Sequence, residues 1–266
     1  MQTFQDAYRY RDVLLALTAK ELKAQYRNMS LGFLWAVLNP LVMVAVLSIV
    51  FTVFWQTGPY HPSKIVIGLI PFNFLSYCIN GCSTAILANS SLVRKVRFPR
   101  QILPYSVILT HLVHFVVQST LIVAVIAIFG TPAGPLTPAL LWLPAIFVLQ
   151  LGLCAGAGML VAAWNVVFRD TQYIVSSLLT VLFWASPVIY DAHAAFDERG
   201  EWTLAAYAYF LNPVAGVIDG YRRILYHGTA PDPVLTLMAL VVTLLVGYVG
   251  MRTFWKYERD FAELVR

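Results

Sequence analysis

The chain has 266 residues, 59% of them hydrophobic and only 12% charged, with a mean hydropathy of +0.72 and a net charge of +5. A soluble domain carries about 25% charged residues, so half that share excludes an ordinary globular enzyme and points to a chain that crosses a membrane several times. The excess of Lys and Arg is then a matter of topology, not of a nucleic-acid surface.

Residues 4–28 read as an amphipathic helix. Arg9, Asp12, Lys20, Lys23 and Arg27 share one stripe, while Leu15, Leu22 and Tyr26 share another face flanked by Leu14 and Ala19. A basic stripe beside an apolar, aromatic face suits a helix lying in the headgroup layer. No Asp, Glu, Lys or Arg occurs between Arg27 and Lys64. The first span is expected over 31–55, with Pro40 a kink whose freed carbonyl a neighbouring helix must satisfy. No cleavable signal peptide is expected, because this first apolar run follows a charged leader.

A loop rich in Gly and Pro leads to a second span over 65–90, which opens on the aromatic cluster Phe72, Phe74 and Tyr77. Arg94, Lys95, Arg97 and Arg100 then crowd into seven positions around Phe98 and Pro99. A basic knot between two apolar runs must lie at a water boundary. From Gln101 to Phe168 Asp, Glu, Lys and Arg are again absent, and a Gly- and Pro-rich break near 130–138 divides that run into spans over 104–129 and 139–164. In the fourth span Gly152, Ala155, Gly156, Ala157 and Gly158 form a small-residue surface for close helix contact.

The fifth span, 173–190, is short and is bent or ended by Pro187. Residues 191–230 hold most of the chain's non-terminal acids among short apolar stretches, and read as half-helices at the outer leaflet joined at Asn212-Pro213. The sixth span covers 233–251, and 252–266 is a charged tail. Six spans place both termini on one side, and that side holds fourteen of the eighteen Lys and Arg residues. Both ends, the basic knot and the Arg169 turn are therefore expected in the cytoplasm.

The sequence contains no P-loop, no G-x-S-x-G, no H-E-x-x-H and no C-x-x-C. No catalytic residue and no metal ligand set is expected. Cys78, Cys82 and Cys154 read as small packing residues, and His111 and His114, three apart on the third span, as neutral histidines facing the bundle interior. The spans also lack the embedded charges that ion-coupled transporters use, so the driving energy is expected from outside the chain.

Several segments together resemble the ABC-2 type transporter permeases, and among them the polysaccharide exporters of O-antigen, capsular polysaccharide and teichoic acid. They are Lys20-Glu-Leu-Lys-Ala-Gln-Tyr-Arg27 running into Ser30-Leu-Gly-Phe-Leu-Trp-Ala-Val-Leu-Asn-Pro40, Arg97-Phe-Pro-Arg100, Phe168-Arg-Asp170, Ser186-Pro-Val188, and Leu211-Asn-Pro213 with Gly220-Tyr-Arg222. The resemblance implies one all-α transmembrane domain: an interfacial helix, six spans, a cytoplasmic coupling helix at 90–100 and periplasmic gate helices at 191–230. It implies a permease subunit, not itself an enzyme, in the bacterial cytoplasmic (inner) membrane. The implied partners are a second copy of the chain, two copies of a separate ATPase that binds ATP and Mg²⁺, a lipid-linked polysaccharide, and further envelope export proteins.

Under that resemblance Arg94, Lys95, Arg97, Phe98, Pro99 and Arg100 would engage the ATPase, and Lys23 and Arg27 would meet the lipid pyrophosphate. Phe72, Phe74, Tyr77, Tyr105, Trp142, Phe183, Trp184 and Tyr190 are candidates for an aromatic channel along which sugar rings slide. Pro187, Asn212, Pro213 and Tyr221 are candidates for the gate. Two other readings stand beside this one: an ABC-2 permease for a drug or lipid, and an integral membrane transferase acting on lipid-linked sugars, which would require a polar catalytic cluster at a membrane face.

Overall fold

The computed structural model describes residues 10–27, 32–53, 62–96, 98–134, 137–191 and 208–264. Among them every regular element is helical. Helix α1 spans Arg11–Tyr26, α2 Trp35–Val53, α3 Pro62–Ala88, α4 Ser90–Lys95 and α5 Ile102–Phe129. They are followed by α6 Leu143–Val167, α7 Thr171–Trp184, α8 Pro213–Arg222, α9 Pro233–Glu258 and the short α10 Phe261–Leu264. A 3-10 turn, Pro138–Trp142, leads into α6, and a π turn, Arg223–His227, ends α8.

Among the described residues four segments are long and apolar enough to cross a membrane: α3, α5, α6 with its leading turn, and α9. Helices α2 and α7 are apolar but shorter. At 1.5 Å per residue the 14 residues of α7 reach about 21 Å, short of about 30 Å of hydrocarbon. The chain continues from α7 not as helix but as a tight turn over 185–190. Serine, proline and the β-branched pair Val188-Ile189 in that stretch do not sustain a helix.

Helix α3 is the central element, packing against α2, α5, α6, α7 and α8. Its apolar window is 72% buried, against 22% for α9, whose outer side is bare. Close approach of α6 to α9 depends on glycine. A Cβ at Gly156 would stand 2.6 Å from the Cα of Gly247, and one at Gly250 would collide with the carbonyl of Gly156. The small-residue surface of the fourth span thus splits between two partners, since Gly158 turns instead toward Cys82 of α3. All three cysteines are buried.

Pro40 lies inside α2, where its missing N–H leaves the Ala36 carbonyl without an intrahelical donor. Gln118 of α5 supplies that donor through Nε2, 3.0 Å away. The N-termini of α8 and α9 repeat one device: Asn212-Pro213 and Asp232-Pro233 each put a side-chain acceptor at the cap and proline at the first helical position. Asn212 Oδ1 accepts from Val214 N at 3.0 Å, and Asp232 Oδ1 from Val234 N at 2.9 Å and Leu235 N at 3.1 Å.

The helix ends sort into two groups. At one, here the basal end, Lys20 Nζ donates to Asn89 Oδ1 at 2.8 Å and Arg100 meets Glu258. At the other, the distal end, Ser63 Oγ donates to the Gly130 carbonyl and Lys64 meets Asp191 at 3.4 Å. Helix α1 lies against α5 at the basal end. Its inward face is Leu14, Leu17, Thr18 and Tyr26, whereas Leu15, expected on the apolar face with Leu22 and Tyr26, is 57% exposed. The tertiary contact selected the stripe three to four residues apart that includes Thr18, whose hydroxyl is satisfied by the Leu14 carbonyl at 2.9 Å.

Candidate functional site: a polar and aromatic cleft

A cleft of about 460 Å³ opens between α2, α3 and α7. Helix α3 contributes Phe72, Asn73, Ser76, Tyr77 and Asn80, a set recurring every three to four residues and therefore on one face. Helix α2 adds Asn39 and Pro40, and α7 adds Ser176, Thr180 and Phe183. The Phe72 and Phe183 rings meet edge to face at 5.2 Å across the cleft.

In the cleft Ser176 and Thr180 donate to carbonyls of their own helix at 2.9 and 3.0 Å, as hydroxyls elsewhere do, and the contrast lies in the amides and Ser76. Thr110, Ser119 and Thr120 each donate to a carbonyl of their own helix. Gln150 is engaged at both ends, donating to the Pro71 carbonyl at 2.7 Å and accepting from Tyr221 Oη at 2.7 Å. Asn39, Asn73 and Ser76 make no side-chain hydrogen bond among the described residues. Asn80 only accepts, from Ser176 Oγ at 3.0 Å. An amide without a partner in hydrocarbon costs about 2 kcal/mol or more, so this face suits water, a polar ligand or a second protein surface, not lipid tails.

The eight aromatic candidates do not share one wall. Phe72, Tyr77 and Phe183 line the cleft. Phe74 sits on the opposite side of α3, in the core against Phe115 at 4.8 Å, with Phe147 stacked on Phe115 at 5.6 Å. Tyr105 is half-buried in the first turn of α5, whereas Trp142 and Trp184 are exposed at the distal end, where interfacial aromatics gather. Tyr190 follows α7 and its hydroxyl lies 2.9 Å from that of Tyr209. Burial, and then this bond, push the Tyr209 phenol well up.

At the distal end the gate candidates are held tightly. The Arg222 side chain is buried and donates to three carbonyls of the turn: Tyr190 at 2.7 Å, Pro187 at 2.7 Å and Val188 at 3.2 Å. Asn212 Nδ2 donates to Ser186 Oγ at 2.9 Å, so Asn212 caps α8 and ties it to the same turn. Pro213 opens α8 and Tyr221 is buried against Gln150. Gly68 of α3 admits the turn, since a Cβ there would strike the Val188 carbonyl. Helix α8 is buried on all sides, so it lies within the bundle and not on its surface. Residues 192–207 of the expected 191–230 segment lie outside the described residues.

At the basal end the basic knot begins with α4, whose C-cap Val96 is extended, and Pro99 holds the preceding Phe98 away from helix. Arg94, Lys95, Phe98, Pro99 and Arg100 border a hollow of about 560 Å³. Arg94 and Lys95 are exposed, whereas Arg100 turns inward, its backbone N–H donating to Glu258 Oε1 at 3.0 Å and its guanidinium to the Glu258 carbonyl. Arg97 lies outside the described residues. Lys23 and Arg27 are exposed on and just after α1.

His114 is buried and lies 2.8 Å from Tyr26 Oη, joining α1 to α5, while His111 packs near the Tyr77 ring at 5.9 Å. Burial pushes the Tyr26 phenol up. Among the described residues no group of three or more metal-ligating side chains occurs. Sequence reading missed Asn39, Asn73, Ser76, Asn80, Ser176 and Thr180. The available signal was the spacing of Asn73, Tyr77 and Asn80 inside an otherwise apolar span.

Comparison with known proteins accounts for this architecture. The family described as ABC-2 type transporter matches residues 12–226. The chain is 36% identical over 263 residues to an O-antigen export system permease protein, RfbA, of Myxococcus xanthus, covering 98% of each. It is 26% identical to an RfbA of Klebsiella pneumoniae over 96% of this chain and 95% of that one. It is also 25% identical to the polysialic acid transport protein KpsM of Escherichia coli, over 90% and 92% respectively. A bundle with several membrane-length helices, matched end to end in this way, belongs to the ABC-2 type transporter family of multi-pass membrane proteins.

Proposed function

We propose that the chain is the membrane permease subunit of an ATP-driven exporter of a cell-surface polysaccharide, carried as a lipid-linked polymer across the bacterial inner membrane. The observation that carries this reading is the cleft. Aromatic faces stack on the apolar faces of sugar rings, and unengaged amides and hydroxyls exchange hydrogen bonds with sugar hydroxyls as readily as with water. Such a wall holds a polymer at many equivalent positions and so lets it slide. The export names of the relatives support the same reading.

In this reading the chain works as a pair with two copies of a separate ATPase, which binds ATP and Mg²⁺. Six helices, α2, α3, α5, α6, α7 and α9, act as the spans, with both termini and the basal end in the cytoplasm. The exposed Arg94 and Lys95, with Phe98 and Pro99, form the contact for the ATPase, and Arg97 belongs to the same stretch. Arg100 fixes that contact to the end of α9 through Glu258. Lys23 and Arg27 meet the lipid pyrophosphate, and the turn holding Pro187, with Asn212, Pro213 and Tyr221, forms the distal gate.

The test is co-expression with the ATPase subunit and reconstitution in liposomes. Co-purification and hydrolysis stimulated by the glycan-lipid, accompanied by movement of polymer to the far leaflet, are expected. An assembled complex whose hydrolysis and transport ignore glycan-lipids but respond to drugs or simple lipids would overturn the reading.

A further inference from the structure

A second chamber of about 270 Å³ is bounded by the end of α1, the start of α2 and the facing middle parts of α3 and α5. It shares Asn39 and Tyr77 with the cleft, so the two spaces adjoin along one wall. One side is fixed by bonds already made: Tyr26 to His114, and Gln118 to the Ala36 carbonyl. The remaining lining includes the indole of Trp35, 48% exposed, and the amides of Gln25 and Asn39, neither hydrogen-bonded among the described residues.

Among the described residues, none that lines the chamber is Asp, Glu, Lys or Arg. The adjoining space on the other side of Gln25 and His111 adds Glu21 and no Lys or Arg. The nearest cations in sequence, Lys23 and Arg27, flank Gln25 and Tyr26 and are exposed outside the chamber. A pyrophosphate taken out of water needs cations to offset its charge, and none of the described lining residues supplies one. Aromatic faces with neutral amides are the chemistry that recognises an uncharged sugar ring. A carboxylated sugar would have to lose its water among neutral groups, which is costly without a paired cation.

Resting on the exporter reading above, we propose that this chamber is a subsite for one uncharged pyranose, the sugar next to the lipid pyrophosphate. The pyrophosphate then stays at the Lys23 and Arg27 lip while the first ring is read inside. The subsite would select neutral first sugars before the polymer reaches the cleft.

The test uses the full chain in lipid nanodiscs with three probes: a polyprenyl pyrophosphate, the same lipid bearing one hexose, and the same lipid bearing one hexuronic acid. The hexose lipid is expected to bind at least about tenfold tighter than the bare lipid, the effect of one or two hydrogen bonds and a stacked face, with the hexuronic lipid no tighter than the bare one. Asn39→Leu removes an amide that bonds nothing in the described structure, so folding is not at stake, and it should erase most of the hexose advantage. Trp35→Leu should do the same by removing the stacking face. Equal binding of all three lipids by the unaltered chain would overturn the subsite and leave the exporter reading standing. Binding of none of them would overturn both. A hexuronic lipid bound as tightly as the hexose lipid, or variants that keep the full advantage, would also overturn it.

Discussion

The cleft and the distal staple use the same residue types to opposite ends. Around Arg222 the polar side chains are joined to the backbone or to one another: the guanidinium to three carbonyls, Asn212 to Ser186 and to its own helix, Tyr221 to Gln150 and Gln150 to Pro71. In the cleft Asn39, Asn73 and Ser76 bond nothing in the described structure. Amides that are fully engaged hold a fold together, whereas amides left open at membrane depth are available to a passing ligand. In the proposed reading the contrast separates residues that set stability from residues that would set transport.

The largest effect should come from the staple. Arg222→Leu leaves three carbonyls, two of them buried, without a charged donor and should cost about 3–5 kcal/mol. Thermal unfolding of the purified chain in detergent checks this, and an unchanged midpoint would remove the staple as a stabilising element. In the cleft the opposite pattern is expected. Asn73→Leu should leave the unfolding midpoint unchanged or slightly raised while lowering polymer export about tenfold, the effect of one or two lost sugar contacts. A variant that loses stability and export together would erase the distinction between the two regions.

A smaller effect sharpens the boundary between them. Tyr221→Phe should cost about 1 kcal/mol, and Gln150→Leu somewhat more because the Pro71 carbonyl also loses a donor. Their double mutant should fall short of the sum, since the two share one bond, and a denaturation cycle measures the coupling. Smallest of all in stability is Arg94→Ala at the exposed basal knot, within about 0.5 kcal/mol of the unaltered chain. Its consequence should lie in the ratio of polymer exported to ATP hydrolysed by the reconstituted complex. An unchanged ratio would leave Arg94 a topological anchor alone.

Phe72 and Phe74 show why a sequence cannot say which aromatic residues share one wall. Two residues apart on a helix they point about 200° from one another, so one faces the cleft and the other the Phe115 stack. Composition cannot say which. The same limit applies to Tyr221, which motif order placed with the gate and the fold buries against Gln150. Arg222 belongs to the Gly220-Tyr-Arg222 segment, but its three carbonyl partners lie more than thirty positions away, outside any local window. Pro187 breaks the helix locally, but the contacts with Gly68 and Arg222 that seat the 185–190 turn come from far away in the chain.

Sequence alone determined the class of molecule and the rough run of its helices, because apolar length and scarcity of charge are local properties set against the thickness of a bilayer. It also determined the Pro40 defect, since a missing N–H always frees one carbonyl, and the capping of α8 and α9 by Asn212 and Asp232. Tertiary structure decided which residue answered that defect, Gln118, and which glycines let α6 meet α9. It decided, too, that Asn39, Asn73 and Ser76 would face a cleft with their polar groups unengaged. Whether a polar side chain is satisfied is a question of which helix lies opposite, and the chain reveals that only when folded.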